Sequence, residues 1–223
     1  FKMMVALAAL EGGHIDPAGE VFCTGHLDLG NRRFHCWKRG GHGRMNMYTG
    51  ISRSCDFYFY ELASRVGVDN IAAMARRFGL GEKLGIDLPS ERKGLIPTRD
   101  WKLAVYGVPW QKGETLVIGI GQGFVLATPL QLAVMTARIA NGGIAISPKL
   151  VRETQRVGKR LPDSREPFPS MGLSVANLAV VQKGMLDVTN DPRGTAYRAR
   201  IEESGMAMAG KTGSVQVKRI TKA

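Results

Sequence analysis

The stretch Lys2–Leu10, KMMVALAAL, is apolar on every side of a helix, and that property restricts the folds able to hold it. A helix without a polar face has to be surrounded by other elements. Its apolar run is far shorter than the roughly 20 residues a bilayer-spanning helix needs, so those surroundings must be protein. Glu11-Gly12-Gly13 closes it as a glycine C-cap would. With 223 residues, 44% of them apolar, the chain can build a core around such a helix, and no repeat or low-complexity tract divides it. Residues 1–223 therefore read as one unit. The chain opens on Phe1-Lys2 inside this helix without a secretory leader, which reads as a cut rather than a natural terminus.

Further elements follow from local signals. Val21–Trp37, VFCTGHLDLGNRRFHCW, predicts a hairpin turning near Leu29-Gly30-Asn31, which would set Cys23 across from Cys36. Asp69, Thr128 (with Pro129 at the first helical position) and Ser174 read as helix N-caps. Leu80–Gly123, rich in Gly and Pro, predicts a long irregular surface stretch, and Met206–Val217, MAMAGKTGSVQV, a strand. Blocks of helix with late strands indicate α/β or α+β layers.

Chemistry concentrates in three places. Lys211-Thr212-Gly213 puts a cation and a hydroxyl side by side, able to hold a carboxylate, next to a glycine that lets a ligand lie close. Upstream stand Ser54-x-Asp56 and, at the start, Lys2. This ordered set resembles the S-x-x-K, S-x-N and K-T-G elements of active-site serine penicillin-binding proteins and β-lactamases. The segments GHGRMNMYTGISRSCDFYFYELA, FGLGEKLGIDLPSERKGLIP, GIGQGFVLATPLQLA and MAGKTGSVQV extend the resemblance over nearly the whole chain. They are similar to class B penicillin-binding proteins of the elongation-specific penicillin-binding protein 2 type.

The resemblance implies the penicilloyl-serine transferase (β-lactamase/transpeptidase-like) fold, a central antiparallel sheet flanked by helices, here incomplete at the N-terminus. It implies a D,D-transpeptidase that cross-links peptidoglycan stem peptides through an acyl-serine and binds β-lactams. Lys2 would be the base of acylation, with its serine two positions before Phe1 and hence outside this chain. Ser54 would relay a proton, Asp56 would stand where many relatives carry Asn, and Lys211 and Thr212 would bind the D-Ala-D-Ala carboxylate. Gly213 and Ser214 would lie against the substrate, the Ser214 N–H forming half of an oxyanion hole. The family further implies a periplasmic domain anchored to the inner membrane by a segment absent here, and a SEDS-type glycan polymerase as partner. Another S-x-x-K string, Ser90–Lys93, follows Pro89 and runs into Gly94, so it reads as surface loop.

Two rivals remain. A β-lactamase or β-lactam sensor shares the motifs, although no E-x-E-x-N stretch of the class A kind is found. A non-catalytic, zinc-stabilised interaction module is the other. Cys23, Cys36, His42 and Cys55 form a Cys3His set suited to structural zinc, with His26 or His35 as substitutes for His42; a Cys23–Cys36 disulfide or three separate thiols are the alternatives. Phe57, Tyr58, Phe59 and Tyr60 surround a helix and read as packing rather than a stacking platform. The formal charge of +12 favours anionic surroundings, but the basic residues are scattered, which argues against nucleic acid.

Overall fold

Helix α1, Lys2–Glu11, is buried from Lys2 to Leu10 and forms the axis of the structure. The computed structural model describes residues 1–150 and 167–214, with the backbone of Gln155–Arg156 and Lys159–Arg160 between them. Around α1 pack α2 (Met47–Ser52), α3 (Asp56–Val66), α4 (Val68–Arg77) and α8 (Val175–Asn190). Every side of α1 thus meets apolar side chains, as its composition demands. No described helix is long and apolar enough to cross a membrane.

The predicted hairpin divides in two. Strands β2 (His26–Leu29) and β3 (Arg32–His35) pair across a Gly30-Asn31 turn, whereas β1 (Val21–Cys23) pairs with β4 (Gly43–Met45), so Cys23 faces Gly43 and not Cys36. Two glycines cause the split. A Cβ on Gly25 would lie 2.1 Å from the Arg39 carbonyl oxygen and one on Gly41 2.3 Å from that of Cys23, so only glycine lets these loops cross.

The stretch predicted to be irregular contains α5 (Arg99–Tyr106) and α6 (Lys112–Gly119). Its glycines and prolines punctuate helices instead of dissolving them. Thr98 caps α5, Gly107 ends it in the left-handed region, and Gln111 with Glu114 forms a capping box on α6. Buried Lys102 joins the two by bonds of 2.5 and 2.6 Å to the Glu114 carboxylate. Asp69 is not the cap of α4: Gly67, at φ 80°, takes that position, and the Asp69 carboxylate instead accepts from the Arg99 N–H at 3.1 Å. Helix α7 (Pro129–Ala140) and α8 begin at Thr128 and Ser174 as predicted.

Among the described residues, antiparallel pairing occurs in three two-stranded ladders, the third being β5 (Gln155–Arg156) with β6 (Lys159–Arg160), and in the isolated bridges Leu95–Leu126 and Ile144–Ser170. Met206–Ser214 form no strand. Their backbone is claimed by α8: the Gly210 N–H donates to the Met185 carbonyl, and the Met208 carbonyl accepts from Thr189 and Asn190. The remainder of the predicted strand lies outside the described residues.

Helices α3 and α6 approach through Gly119, where an added Cβ would stand 2.6 Å from the Ala63 Cβ and 2.9 Å from the Phe59 carbonyl oxygen. Neither atom can rotate away. Gly119→Ala should therefore lose up to about 2 kcal/mol net in urea unfolding, because overpacking of about 1–3 kcal/mol offsets and exceeds the roughly 1 kcal/mol that alanine gains in a helix. A stabilised variant would show that α6 can move off α3 freely.

Candidate active site and cysteine cluster

The turn between α2 and α3 places the Ser-Cys-Asp corner. Helix α2 ends in a Schellman motif: the Cys55 N–H bonds the Gly50 carbonyl at 3.0 Å and the Ser54 N–H that of Ile51 at 3.1 Å. The motif requires a left-handed residue at Ser54, whose φ is 52°. Glycine is usual there; a serine costs roughly 1–2 kcal/mol, so the side chain is held at a price the surroundings must cover.

They do so through Lys2. Its ammonium reaches from the first turn of α1 and donates to the Ser54 carbonyl at 2.9 Å, Ser54 Oγ at 3.0 Å and Asp56 Oδ1 at 2.7 Å. Three N–H groups meet three acceptors. Asp56 opens α3, where its charge also suits the helix N-terminus, and its Oδ2 accepts from the Trp37 N–H at 2.9 Å. Trp37 Nε1 lies 3.2 Å from the Arg53 carbonyl and 3.1 Å from that of Ser54, so the end of the hairpin clamps the corner.

Lys2, Ser54 and Asp56 share a cleft of about 1230 Å³ with Lys211, Thr212, Gly213 and Ser214. The structure thus brings together all seven residues predicted for catalysis and substrate binding. Lys211 Nζ lies 3.1 Å from both the carbonyl oxygen and Oγ1 of Thr212. Burial, reinforced by the charge of Lys2 and opposed by Asp56, lowers the Lys211 pKa to about 7. Ser90–Lys93 is exposed or half-exposed loop, with the Glu91 carboxylate accepting from the N–H groups of Leu84 and Gly85. Tyr58, Phe59 and Tyr60 are buried, as packing residues should be.

Behind the corner, Cys23, Cys36, His42 and Cys55 converge with their ligand atoms all within 4.8 Å of one another. His42 Nδ1 is 3.4 Å from Cys36 Sγ and 3.7 Å from Cys23 Sγ. A tetrahedral zinc with Zn–S of about 2.3 Å and Zn–N of about 2.05 Å has S···N edges of roughly 3.6 Å, so the set has the dimensions of such a site. All three cysteines are buried free thiols. A hydrogen bond from Cys55, helped by His42 and opposed by burial, holds the Cys36 thiol down to about 3; the same pairing, with burial, pushes Cys55 up. One of the sulfurs is thereby favoured as thiolate, the ligand form. His42 Nε2 is buried without a hydrogen-bond partner among the described residues, leaving Nδ1 as the nitrogen aimed at the sulfurs.

Two contributors escaped the sequence reading. Trp37 looked like the end of a strand. Thr195, in the loop after α8, contacts Thr212 Oγ1 at 2.9 Å, and nothing in its sequence neighbourhood marks it.

Comparison with known proteins agrees with this geometry. The family model described as penicillin binding protein transpeptidase domain matches residues 1–222. The chain is 38% identical, over 98% of its length, to peptidoglycan D,D-transpeptidase MrdA of Acinetobacter baumannii, and 35% identical, over 97%, to that of Escherichia coli K12. It spans only 32% and 34% of those relatives, about a third of their length. Among solved structures, Pseudomonas aeruginosa PBP2 in complex with WCK 5153 superposes with a TM-score of 0.86 at 41% identity, covering 97% of this chain and 49% of that one. PBP2 in its complex with MreC from Helicobacter pylori gives 0.85 at 34%, covering 97% and 39%. The chain belongs to the penicillin-binding protein transpeptidase domain family, on its class B, penicillin-binding protein 2 branch.

Proposed function

We propose that residues 1–223 form the transpeptidase portion of a peptidoglycan D,D-transpeptidase serving cell elongation. The observation that carries this reading is the Lys2 amine bonded to Ser54 Oγ and Asp56 within the cleft that also holds Lys211 and Thr212. In the full-length enzyme a serine three residues before Lys2 would lie one helical turn away on the same face of the helix. Lys2, in its neutral form, takes the seryl proton as Oγ bonds to the carbonyl carbon of the penultimate D-Ala. The C–N bond to the terminal D-Ala then breaks, and its nitrogen leaves with a proton relayed through Ser54. An amine from a neighbouring stem displaces the seryl oxygen, forming the cross-link. Lys211 and Thr212 hold the terminal carboxylate, Gly213 lies against the peptide, and the Ser214 N–H faces the developing oxyanion. β-Lactams present the same carboxylate and carbonyl and stop at the ester.

The family resemblance further implies a domain on the periplasmic face of the inner membrane, working with a SEDS-type glycan polymerase. The H. pylori complex favours an MreC-like scaffold as a further partner. Cys23, Cys36, His42 and Cys55 hold a structural zinc that braces the Ser-Cys-Asp corner from behind; the metal takes no part in acyl transfer.

Fluorescent penicillin should label the full-length enzyme once per chain, and Lys2→Met should slow labelling by about 10²–10⁴-fold, the range of a lost general base. Rapid multiple turnover of a chromogenic penicillin would instead identify a β-lactamase. For the Lys211 role, the noncovalent dissociation constant of a carboxylate-bearing penicillin should weaken as pH rises through about 7. Lys211 is a cation below that value and neutral above it. Lys211→Arg, charged throughout, should flatten that limb, and an unchanged pH profile would count against the assignment. Elemental analysis should find about one zinc per chain with three reducible-agent-independent thiols after denaturation in chelator, and Cys55→Ser should lose the metal and lower the melting temperature.

A further inference from the structure

Thr195 is placed with more care than a loop threonine needs. Gly194 makes the approach: a Cβ there would stand 2.3 Å from the Asp187 and 2.4 Å from the Val188 carbonyl oxygens, so the loop can fold back on α8 only with glycine. The Gly194 N–H bonds the Asp191 carbonyl at 2.7 Å and the Ala196 N–H that of Val188 at 2.9 Å, fixing both neighbours of Thr195. Thr195 itself donates its backbone N–H to the Ser52 carbonyl at 3.1 Å. Its hydroxyl stands between that carbonyl, at 3.4 Å, and Thr212 Oγ1, at 2.9 Å.

Counting protons decides what this does. Thr212 Oγ1 has two lone pairs and one proton. Lys211 Nζ donates to one lone pair at 3.1 Å. With Thr195 donating to the other, the Thr212 proton meets no further acceptor among the described residues and is free to turn into the cleft. The opposite polarity would spend that proton on Thr195, leaving Thr212 unable to donate to a carboxylate. The Thr195 hydroxyl has one proton to give: the 3.4 Å separation from the Ser52 carbonyl is beyond the usual O–H···O range of about 2.5–3.0 Å and the 2.9 Å separation from Thr212 Oγ1 is within it, which favours donation to Thr212.

We propose that Thr195 is a positioning residue for the transpeptidase reaction: its hydroxyl donates to Thr212 Oγ1 and thereby keeps the Thr212 hydroxyl proton directed at the carboxylate of the stem peptide or β-lactam. The inference rests on Thr212 being a carboxylate donor. Because Thr195 is also bonded to the Ser52 carbonyl, two residues before Ser54, it links the K-T-G segment to the Ser-Cys-Asp corner.

The test uses the full-length enzyme with a penicillin and its methyl ester, separating the noncovalent dissociation constant from the acylation rate. Thr195→Val keeps the shape and the backbone bond to Ser52 but removes the donor. It should weaken binding of the free acid about tenfold, as loss of a hydrogen bond relayed to a charged group implies, while leaving the ester unchanged. Thr195→Ser should restore wild-type discrimination. The double variant Thr195→Val/Thr212→Val should be no worse than Thr212→Val alone. Thr195→Ala serves as a second donor-free variant should valine disturb the loop, with melting temperatures recorded for all. Equal losses for acid and ester, or additive losses in the double variant, would overturn the proposal. If Thr212→Val itself leaves acid-over-ester discrimination intact, the carboxylate role of Thr212 fails and this inference with it. If Thr212→Val abolishes discrimination and Thr195→Val does not, only the inference about Thr195 fails.

Discussion

One buried cation organises this structure. Lys2 enters the interior on a helix that has no polar face of its own, and its side chain is only 9% exposed. Such a charge is tolerable only when every N–H finds an acceptor, and the three acceptors all come from the α2–α3 turn. The requirement runs both ways. Asp56 is 15% exposed, so removing either partner would strand the other, a loss of about 3–5 kcal/mol in comparable buried pairs. The buried helix α1 and the left-handed turn at Ser54 are therefore one unit, and the geometry between Lys2 and Ser54 Oγ is set by folding itself.

That arrangement explains why a serine is tolerated in the left-handed position closing α2. The same backbone conformation that a glycine would adopt freely presents the Ser54 carbonyl and hydroxyl to a single ammonium. Cys55, the next residue, points away from the cleft into the cysteine cluster, and Asp56 points back. Three consecutive side chains thus have separate tasks, and each is anchored to a different part of the chain: α1, the β1 and β3 strand ends, and the hairpin end at Trp37. A turn anchored on three sides keeps its strain without relaxing.

The sequence revealed the parts whose signals are local. The all-apolar α1, the Thr128 and Ser174 caps and the Gly30-Asn31 turn could be read directly, because periodicity and capping act over a few positions. Cys23 and Cys36 do meet, but through Gly25 and Gly41 crossing loops instead of through one hairpin, and no short window contains that information. In Leu80–Gly123 the glycines and prolines predict an irregular surface stretch, whereas in the structure they mark helix ends. The distinguishing signal, the Lys102 to Glu114 bond, joins two helices and is invisible within either. Thr195 was hidden for the same reason: its role depends on Ser52 and Thr212, 143 and 17 positions away.

The cleft's own charge, rather than the chain's total of +12, is what suits it to a carboxylate. Scattered surface lysines and arginines are screened by salt over about 8–10 Å and select no particular ligand. Lining the cleft, Lys2, Arg39 and Lys211 face one aspartate, and Asp56 is already committed to Lys2 and to the Trp37 N–H. Among the described residues Lys211 bonds only the neutral oxygens of Thr212, and burial, reinforced by the charge of Lys2 and opposed by Asp56, lowers its pKa to about 7. In the proposed role, a ligand carboxylate beside Lys211 would favour its protonated form, so carboxylate binding and Lys211 protonation would be linked. In that same role a neutral peptide end would make no such link, so discrimination between the two would draw on the buried Lys211 amine itself.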